Sequence, residues 1–203
     1  MTNILYTFEN SVYLNITNTC PCKCKFCIRN NGDSVGDAST LWFEGHAPSF
    51  DEIKSAIDAF DFSDYKGEII FCGYGEPTAA YKNFVMTCSY IKEKLGLPIR
   101  LNTNGLSDLL NGKPTAEEIC SLVDTVSISL NQHTAEKYNE LCVPAFGEKA
   151  FDAMLKFAKE CKMCDNVKVV LSVVDVIPAE DIEECKKLAD EMGIPLRVRK
   201  YTD

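Results

Sequence analysis

The sequence lacks the features that would place the protein in a membrane or outside the cell. It contains no run of ~20 apolar residues, which a membrane-spanning helix requires, so we expect no such span. Residues 1–10 have neither a basic start nor a long apolar stretch, so we expect no signal peptide and a cytoplasmic location. Histidine is scarce as well: the two residues, His46 and His133, lie far apart and do not have the spacing of a metal-binding pair.

Positive charge is also in short supply. The chain has 203 residues, with 21 Lys and Arg against 30 Asp and Glu, and its net charge is -9. This deficit argues against non-specific nucleic-acid binding, because such binding depends on many contacts between cations and phosphates. Hydrophobic residues at 46% and charged residues at 25% are ordinary globular values, which exclude disorder and fibrous repeats. No linker or composition break is visible, so residues 1–203 are predicted to form a single domain.

Short apolar runs alternate with helical patterns along the chain. The runs predict six strands, at residues Val12 to Thr17, Glu68 to Cys72, Ile99 to Asn104, Thr125 to Asn131, Lys168 to Val174 and Leu196 to Tyr201. This alternation predicts an α/β fold with parallel strands and right-handed crossovers. A complete eight-unit barrel takes about 250 residues, so six units predict a partial (β/α)6 TIM-like barrel with an open side. A flat, doubly wound sheet is the structural alternative.

Two capping patterns mark predicted helix starts between these strands. Ser49 with Glu52 forms a capping box before a stripe of Ile53, Ile57 and Phe60. Thr115 with Glu118 is predicted to cap a later helix.

The predicted strands are apolar on one face only. In the fourth strand, Val126, Ile128 and Leu130 alternate with Ser127, Ser129 and Asn131. A parallel strand covered on both faces would be nearly all apolar. We therefore expect one face to meet the helices and the other to line a polar lumen that holds a polar ligand. The charged residues of the strands are predicted to pair with one another low in the barrel: Glu68, Arg100, Lys168 and Arg197.

Cysteine is abundant, with 11 residues, and a dense group follows the first predicted strand. Cys20, Cys24 and Cys27 have the spacing C-x3-C-x2-C, and three thiolates suit an iron–sulfur cluster. Three protein ligands leave one iron of a four-iron cluster open to bind substrate. Two alternatives remain: structural zinc with Cys161 and Cys164 as a second pair, or a closed cluster with Cys22 as the fourth ligand.

The segment Cys20-Pro-Cys-Lys-Cys-Lys-Phe-Cys27 resembles the signature of the radical SAM superfamily. Cys72-Gly-Tyr-Gly-Glu-Pro-Thr78, after the second strand, resembles the family's Gly-Gly-Glu-Pro motif, with Tyr74 in place of the first Gly. Leu101 to Gly105 resembles the family's segment after the third strand. Further segments are similar to the small TatD-associated radical SAM subfamily: Ser127 to Asn131, Leu141 to Gly147, and Cys27 to Gly32 followed by Leu41 and Trp42. The cysteine loop, Gly75 with Glu76, Asn104 and Asn131 all fall at carboxyl ends of predicted strands, the face where such barrels place their active sites.

The resemblance implies two cofactors, a [4Fe-4S] cluster held by Cys20, Cys24 and Cys27, and S-adenosylmethionine. Glu76 and the backbone near Gly75 and Tyr74 are expected at the cofactor's amino group, and Phe26 at its adenine. Ser129 and Asn131 are expected at the ribose hydroxyls, and Arg199 at a carboxylate of cofactor or substrate or else in a plain ion pair. Asn104 is expected to line the same site.

The implied reaction is reductive cleavage of S-adenosylmethionine, with an external low-potential electron donor, to a 5′-deoxyadenosyl radical that abstracts hydrogen from an unidentified substrate. Two other functions stay open: an activating enzyme that makes a glycyl radical on a partner protein, and a non-catalytic iron–sulfur or zinc module. A large substrate or another polypeptide is expected to complete the open pocket, and the subfamily resemblance makes a TatD-type hydrolase a candidate partner. The long loop from Asn30 to Pro48 is predicted to be a lid.

Overall fold

The computed structural model describes residues 4–201, which contain seven strands in one sheet. The strands are β1 (Leu5–Phe8), β2 (Ser11–Leu14), β3 (Ile69–Phe71), β4 (Ile99–Thr103), β5 (Thr125–Ser129), β6 (Lys168–Val174) and β7 (Leu196–Arg199). Their spatial order follows their order in the chain. The pair β1–β2 is antiparallel, and every later pair, from β2–β3 to β6–β7, is parallel.

The strand order distinguishes the predicted barrel from the flat alternative. A doubly wound sheet reverses its strand order at a switch point, whereas this sheet proceeds from β2 to β7 without a reversal. The fold is therefore α/β with the winding of a partial barrel, as the alternation predicted. Within residues 4–201 no pairing joins β7 to β1, so the sheet has an open side.

The sequence analysis missed β1, which pairs with β2 in a tight hairpin. The turn residues Glu9 and Asn10 both have positive φ, at 47° and 62°. Two successive left-handed residues are typical of a two-residue turn whose twist matches that of the flanking strands. The hairpin adds an antiparallel strand at the edge of the predicted parallel set. The strand predicted from Val12 to Thr17 is shorter than expected, because β2 ends at Leu14.

Seven α-helices lie in the described part of the chain. They are α1 (Phe50–Asp58), α2 (Tyr81–Lys94), α3 (Ser107–Asn111), α4 (Ala116–Leu122), α5 (Ala135–Cys142), α6 (Lys149–Lys162) and α7 (Ala179–Met192). The Ser49–Glu52 capping box opens α1 as predicted. Thr115 does not cap α4 with its side chain, and that prediction is wrong: its hydroxyl instead lies 2.8 Å from an Asp108 carboxylate oxygen.

The apolar core lies between the sheet and the helices. Leu14, Phe71, Leu101, Ile128 and Leu171 are fully buried members of one cluster that includes the inner faces of the helices. The opposite face of the strands is polar and lines a cavity, as the alternation of residue types predicted. Within residues 4–201 no helix has both the length and the apolar character needed to cross a membrane.

Candidate active site

The polar face of the sheet encloses a cavity of about 470 Å³. Its lining combines inward side chains of β2 to β7 with the loops that follow β2, β3, β4 and β5. The cavity is lined by ten of the eleven predicted site residues, namely Cys20, Cys24, Phe26, Cys27, Gly75, Glu76, Asn104, Ser129, Asn131 and Arg199. Tyr74 is the one that the lining does not include. The fold thus brings segments from Cys20 to Arg199 to one site.

Backbone hydrogen bonds hold the cysteine loop against the end of α5. The amides of Lys23 and Lys25 donate to the carbonyls of Cys142 and Leu141, each at 3.0 Å. On the other side, the Ala145 amide donates to the Pro21 carbonyl at 2.8 Å. The segment from Leu141 to Gly147, which the sequence marked only by resemblance, is therefore the platform on which the cysteine loop lies.

Two further thiols contact the cysteines of the motif. Cys22 donates a hydrogen bond to Cys20 and lowers its pKa, and donors from Cys142 and Cys22 lower the pKa of Cys24 to about 4. The same contacts raise the pKa values of Cys22 and Cys142. The contacts among these four thiols thus favour the thiolate form at Cys20 and Cys24 over that at Cys22 and Cys142. Thiolate is the form that ligates metals.

Arg29 is a site residue that sequence reasoning missed. Its guanidinium donates to Cys27 Sγ at 3.4 Å and to the carbonyls of Asn18 and Tyr74 at 3.2 and 3.1 Å. Its positive charge favours the thiolate forms of Cys20 and Cys24 and so contributes to their lowered pKa values. Only its place two residues after Cys27 hinted at this role.

Two glycines let the loop after β3 approach the cysteine loop. A Cβ on Gly75 would lie 2.2 Å from the Thr17 carbonyl oxygen, and one on Gly73 would lie 2.3 Å from Asn15 Oδ1. Real Cβ atoms do not make such contacts, so both positions require glycine on steric grounds. The close approach allows the Glu76 amide to donate to the Thr19 carbonyl at 2.9 Å.

The structure places Tyr74 differently from the expectation at the cofactor's amino group. Its side chain is 1% exposed and packs with Tyr6 and Leu41 in a second small core, outside the cavity. Its hydroxyl donates to the Gly32 carbonyl at 2.7 Å, and its own carbonyl accepts from Arg29. A tyrosine fits where the family has glycine because this side chain points away from the site.

Glu76 makes contacts within the protein in addition to the one predicted for its carboxylate. Its Oε1 accepts from the Thr78 amide and hydroxyl and from the Thr103 hydroxyl, and its Oε2 accepts from the Asn104 amide at 2.8 Å. The side chain is 3% exposed, and burial raises its pKa. Glu76 therefore ties the loops after β3 and β4 together, and within the described residues only Oε2 keeps an acceptor position for a ligand.

The amide side chains of Asn104 and Asn131 are directed at sulfur. Asn104 Nδ2 lies 4.0 Å from Cys20 Sγ and 3.8 Å from Cys22 Sγ. Asn131 Nδ2 donates to Cys142 Sγ at 3.5 Å, while its buried Oδ1 has no hydrogen-bond partner among the described residues. Asn131 has a φ of 58°, a left-handed conformation that Asn tolerates at the end of a strand.

The loop from Asn30 to Pro48, predicted as a lid, is packed against the sheet. Its Leu41 side chain is fully buried, and the Leu41 carbonyl accepts from the side-chain amides of Asn15 and Asn18 at 2.8 and 2.9 Å. Trp42 packs edge-on against Tyr74 with ring centroids 5.1 Å apart. These contacts hold this part of the loop against Asn15, Asn18 and Tyr74.

The donor set of the cavity fits an iron–sulfur cluster. Three cysteines from one loop line the same cavity, and soft sulfur is the donor that iron–sulfur clusters take. The predicted zinc alternative needs Cys161 and Cys164 as a second pair, but these residues contact Cys120 at the end of α6, away from the cysteine loop. In the described part of the chain no group of three His, Cys, Asp or Glu residues forms a ready single-ion site.

Comparison with known proteins agrees with this geometry. The family described as the Radical SAM superfamily matches residues 14–192. A curated protein described as "Probable dual-specificity RNA methyltransferase RlmN", from Fervidobacterium nodosum, is 24% identical over 176 residues, covering 84% of this chain and 47% of the relative. The TatD-associated subfamily stays a prediction.

Solved structures share the fold at low sequence identity. Methylornithine synthase (PylB) superposes with a TM-score of 0.63 at 18% identity, covering 96% of this chain and 55% of that one. The FeFe-hydrogenase maturase HydG from Carboxydothermus hydrogenoformans gives a TM-score of 0.58 at 16% identity, with coverages of 94% and 44%. The chain thus spans about half the length of the relatives it matches.

Proposed function

The chain belongs to the radical SAM superfamily, and from this premise we propose that its lumen is the site where S-adenosylmethionine is cleaved to start radical chemistry on an unidentified substrate. The protein is an enzyme of the radical SAM class, and members of this class use a [4Fe-4S] cluster and S-adenosylmethionine. One observation supports the proposal above the others. The three motif cysteines share a single cavity with Gly75, Glu76, Ser129 and Asn131 at the carboxyl ends of parallel strands.

In this proposal Cys20, Cys24 and Cys27 hold the cluster. A cluster bound there would supply the electron, drawn from an external low-potential donor, for reductive cleavage of the S–C5′ bond of S-adenosylmethionine to methionine and a 5′-deoxyadenosyl radical, which would take a hydrogen atom from the substrate. Arg29 offsets the negative charge of the thiolates, and its contact with Cys27 Sγ orients the loop. Asn104 serves as a donor toward the sulfurs of Cys20 and Cys22 and not as a direct contact to S-adenosylmethionine, because its amide lies 4.0 and 3.8 Å from these two thiols.

The remaining residues are proposed to orient S-adenosylmethionine. The free acceptor position on Glu76 Oε2 and the backbone at Gly75 suit its ammonium group. The unpartnered Asn131 Oδ1 suits a ribose hydroxyl, with Ser129 two residues before it on the same face. Phe26 lines the cavity beside the cysteines and offers an apolar surface to adenine.

The domain organisation, the partner and the cellular location of the protein are further proposals. Three statements remain proposals from the sequence. Residues 1–203 form a single radical SAM core domain, a large substrate or polypeptide completes the open side, and a TatD-type hydrolase is a partner. We propose a reducing compartment, the cytoplasm, because all eleven cysteines carry free thiols. The relatives act on different substrates by their descriptions, so none of them assigns the substrate here.

The proposal is tested by forming the product of cofactor cleavage. The protein is purified without oxygen, reconstituted with iron and sulfide, and mixed with S-adenosylmethionine and a strong reductant, and 5′-deoxyadenosine is measured by mass spectrometry. We expect product from the wild type, no cluster and no product from Cys24→Ala, and a retained cluster with product from Cys22→Ala.

Two results would overturn the proposal. Loss of the cluster in Cys22→Ala would identify a closed, four-cysteine cluster. Absence of product from fully loaded wild-type protein, with and without the candidate partner, would point to a non-catalytic module. Product only in the presence of a partner protein, with a radical signal on that partner, would identify an activating enzyme.

A further inference from the structure

Three arginines enter the lumen from two strands that lie apart in the sheet. Arg100 comes from β4, and Arg197 and Arg199 come from β7, where residues two apart share one face. In the parallel register Arg197 lies beside Ser172 and Arg199 beside Val174, which also line the cavity. The cavity wall at the open side of the sheet is therefore rich in guanidinium groups.

The partners of these arginines differ sharply. Arg100 lies 3.6 Å from a Glu68 carboxylate oxygen and donates to Asn102 Oδ1 at 2.9 Å. The guanidinium groups of Arg197 and Arg199 make no hydrogen bond or ion pair with any residue in the range 4–201, and the Nε of Arg199 is buried without a partner. The predicted pairing of charges low in the barrel thus holds for Glu68 and Arg100 alone, and Lys168 is exposed outside the cavity.

The carboxylates of the cavity do not neutralise the two unpaired arginines. Glu68 is engaged by Arg100 and by the Thr125 hydroxyl, and Glu76 is engaged by four donors. The remaining one, Glu9, lies in the β1–β2 turn and is exposed. A buried guanidinium donor without a partner is costly, because burial removes water and nothing replaces it. This argument applies to Arg199, which lines the cavity, whereas Arg197 lines the same cavity but is exposed; an unsatisfied guanidinium in a cavity wall favours a ligand that completes its hydrogen bonds.

We propose that Arg197 and Arg199 bind an oxyanion of the substrate, so that the substrate of this enzyme is a small anion bearing phosphate or carboxylate groups. The inference rests on the proposed function, since it names the substrate class of that same site. Guanidinium groups match the geometry of both oxyanions through paired N–H donors. The Ser172 hydroxyl lies beside Arg197 in the register and adds a donor to the same wall.

The arginines and the cysteine motif are supplied by different strands of the sheet. Arg197 and Arg199 come from β7, whereas the cysteine loop follows β2 and the loop with Gly75 and Glu76 follows β3. The cation beside the cysteines is Arg29. The proposal therefore assigns Arg199 to an oxyanion of the substrate and not to the carboxylate of S-adenosylmethionine. An anion held at β7 would place the rest of the substrate in the lumen, toward the cysteines.

The test measures anion binding directly and does not depend on turnover. Cluster-loaded protein with S-adenosylmethionine is titrated by calorimetry with two probes, pyrophosphate for phosphate groups and citrate for carboxylates. We expect the wild type to bind at least one probe, and the double variant Arg197→Gln/Arg199→Gln to bind it roughly tenfold more weakly or worse, since two charged donors are lost. Which probe binds identifies the oxyanion.

Two variants serve as controls. Lys168→Gln removes one positive charge from the neighbouring strand outside the cavity, and it should bind the probe as the wild type does. Arg199→Lys keeps the positive charge but lacks the paired N–H donors of the guanidinium, and it should bind the probe with intermediate affinity. Circular dichroism on every variant checks that the fold is retained.

The inference and the proposed function can fail separately. Wild-type protein that forms 5′-deoxyadenosine but binds neither probe, or that binds a probe equally in the double variant, would overturn the anion site and leave the radical chemistry standing. Probe binding that depends on the two arginines, in protein that forms no 5′-deoxyadenosine, would support the anion site and contradict the proposed function.

Discussion

At the scale of single residues, Arg29 contributes to the site through hydrogen bonds to distant segments as well as through its charge. Its guanidinium joins the cysteine loop to the carbonyls of Asn18 and Tyr74, which belong to the segments after β2 and β3. Groups that orient metal ligands from behind commonly alter metal affinity when removed. The same group supplies positive charge beside three residues that become thiolates in the proposed cluster site.

We expect Arg29→Gln to weaken retention of the cluster while the fold is kept. The rate at which a chelator bleaches the cluster absorbance should rise roughly tenfold, because neither the positive charge nor the planar N–H donors of the guanidinium remain. Arg29→Lys should give an intermediate rate, since it keeps the charge and loses the planar donors. Bleaching of Arg29→Gln at the wild-type rate would show that these contacts do not support the cluster.

Gly75 gives a second prediction at this scale, on stability. Gly75→Ala would force a Cβ to within 2.2 Å of the Thr17 carbonyl oxygen, which is rigid backbone. We expect a loss of about 3 kcal/mol in the free energy of unfolding, as for an overpacked site. Gly32→Ala is the matched control, because nothing lies within 4 Å of the Cβ it would add. Chemical denaturation measures both, and equal stability of the two variants would contradict the steric argument.

At the scale of elements, the start of α7 is tied to the loop after β5 by one carboxylate. Asp181 lies in the first turn of α7, where the helix dipole favours negative charge. It accepts from Gln132 Nε2 at 2.9 Å and from Lys137 Nζ at 2.5 Å, and His133 Nδ1 lies 3.9 Å away. His133, which follows β5, therefore lies beside this carboxylate, and it does not line the cavity.

The hydrogen bonds to Asp181 predict a specific pH dependence. Lys137 and Gln132 lower the pKa of Asp181 in the folded protein, so its ionised form stabilises the fold above its unfolded pKa of about 3.9. We expect Asp181→Asn to lower the denaturation midpoint at pH 7. The difference from the wild type should shrink as the pH falls through the lowered folded-state pKa, where the wild-type carboxylate is itself protonated.

A neighbouring acid on the same helix provides the control for this prediction. Asp190 is exposed near the end of α7 and makes no ion pair within the described residues, so Asp190→Asn should show no such convergence at acid pH. Denaturation curves of the three proteins from pH 7 to acid pH measure the effect. If the denaturation midpoints of Asp181→Asn and the wild type differed by a constant amount over this range, the link between α7 and the loop after β5 would not depend on the ionised carboxylate.

At the scale of the whole molecule, the sheet places two chemically distinct walls around one cavity. The loops after β2 and β3 supply cysteines and backbone groups, while β7, at the other side, supplies two arginines. Five parallel pairs in chain order bring these walls to face each other, because each crossover advances the sheet by one strand. The open side of the sheet lies next to the arginines and gives a route into the lumen.

The sequence by itself determined the fold class, the polar lumen and the position of the cysteine motif. Each of these depends on local patterns: a two-residue period in strands, a wider apolar stripe in helices, and a fixed cysteine spacing in one loop. The same patterns missed β1, whose four residues carry a weak signal and depend on the turn at Glu9 and Asn10. They also misassigned the cap at Thr115, whose hydroxyl binds Asp108.

Only the tertiary structure decided which side chains meet. It turned Tyr74 away from the cavity, gave Glu76 four donors from neighbouring loops, and brought Cys142 to Cys24. It also left the guanidinium groups of Arg197 and Arg199 without partners among the described residues. The reason is that hydrogen bonding and burial depend on segments far apart in the chain, such as Arg29 and the Tyr74 carbonyl, which are 45 residues apart. Sequence periodicity fixes the face a residue occupies, and packing fixes what it touches there.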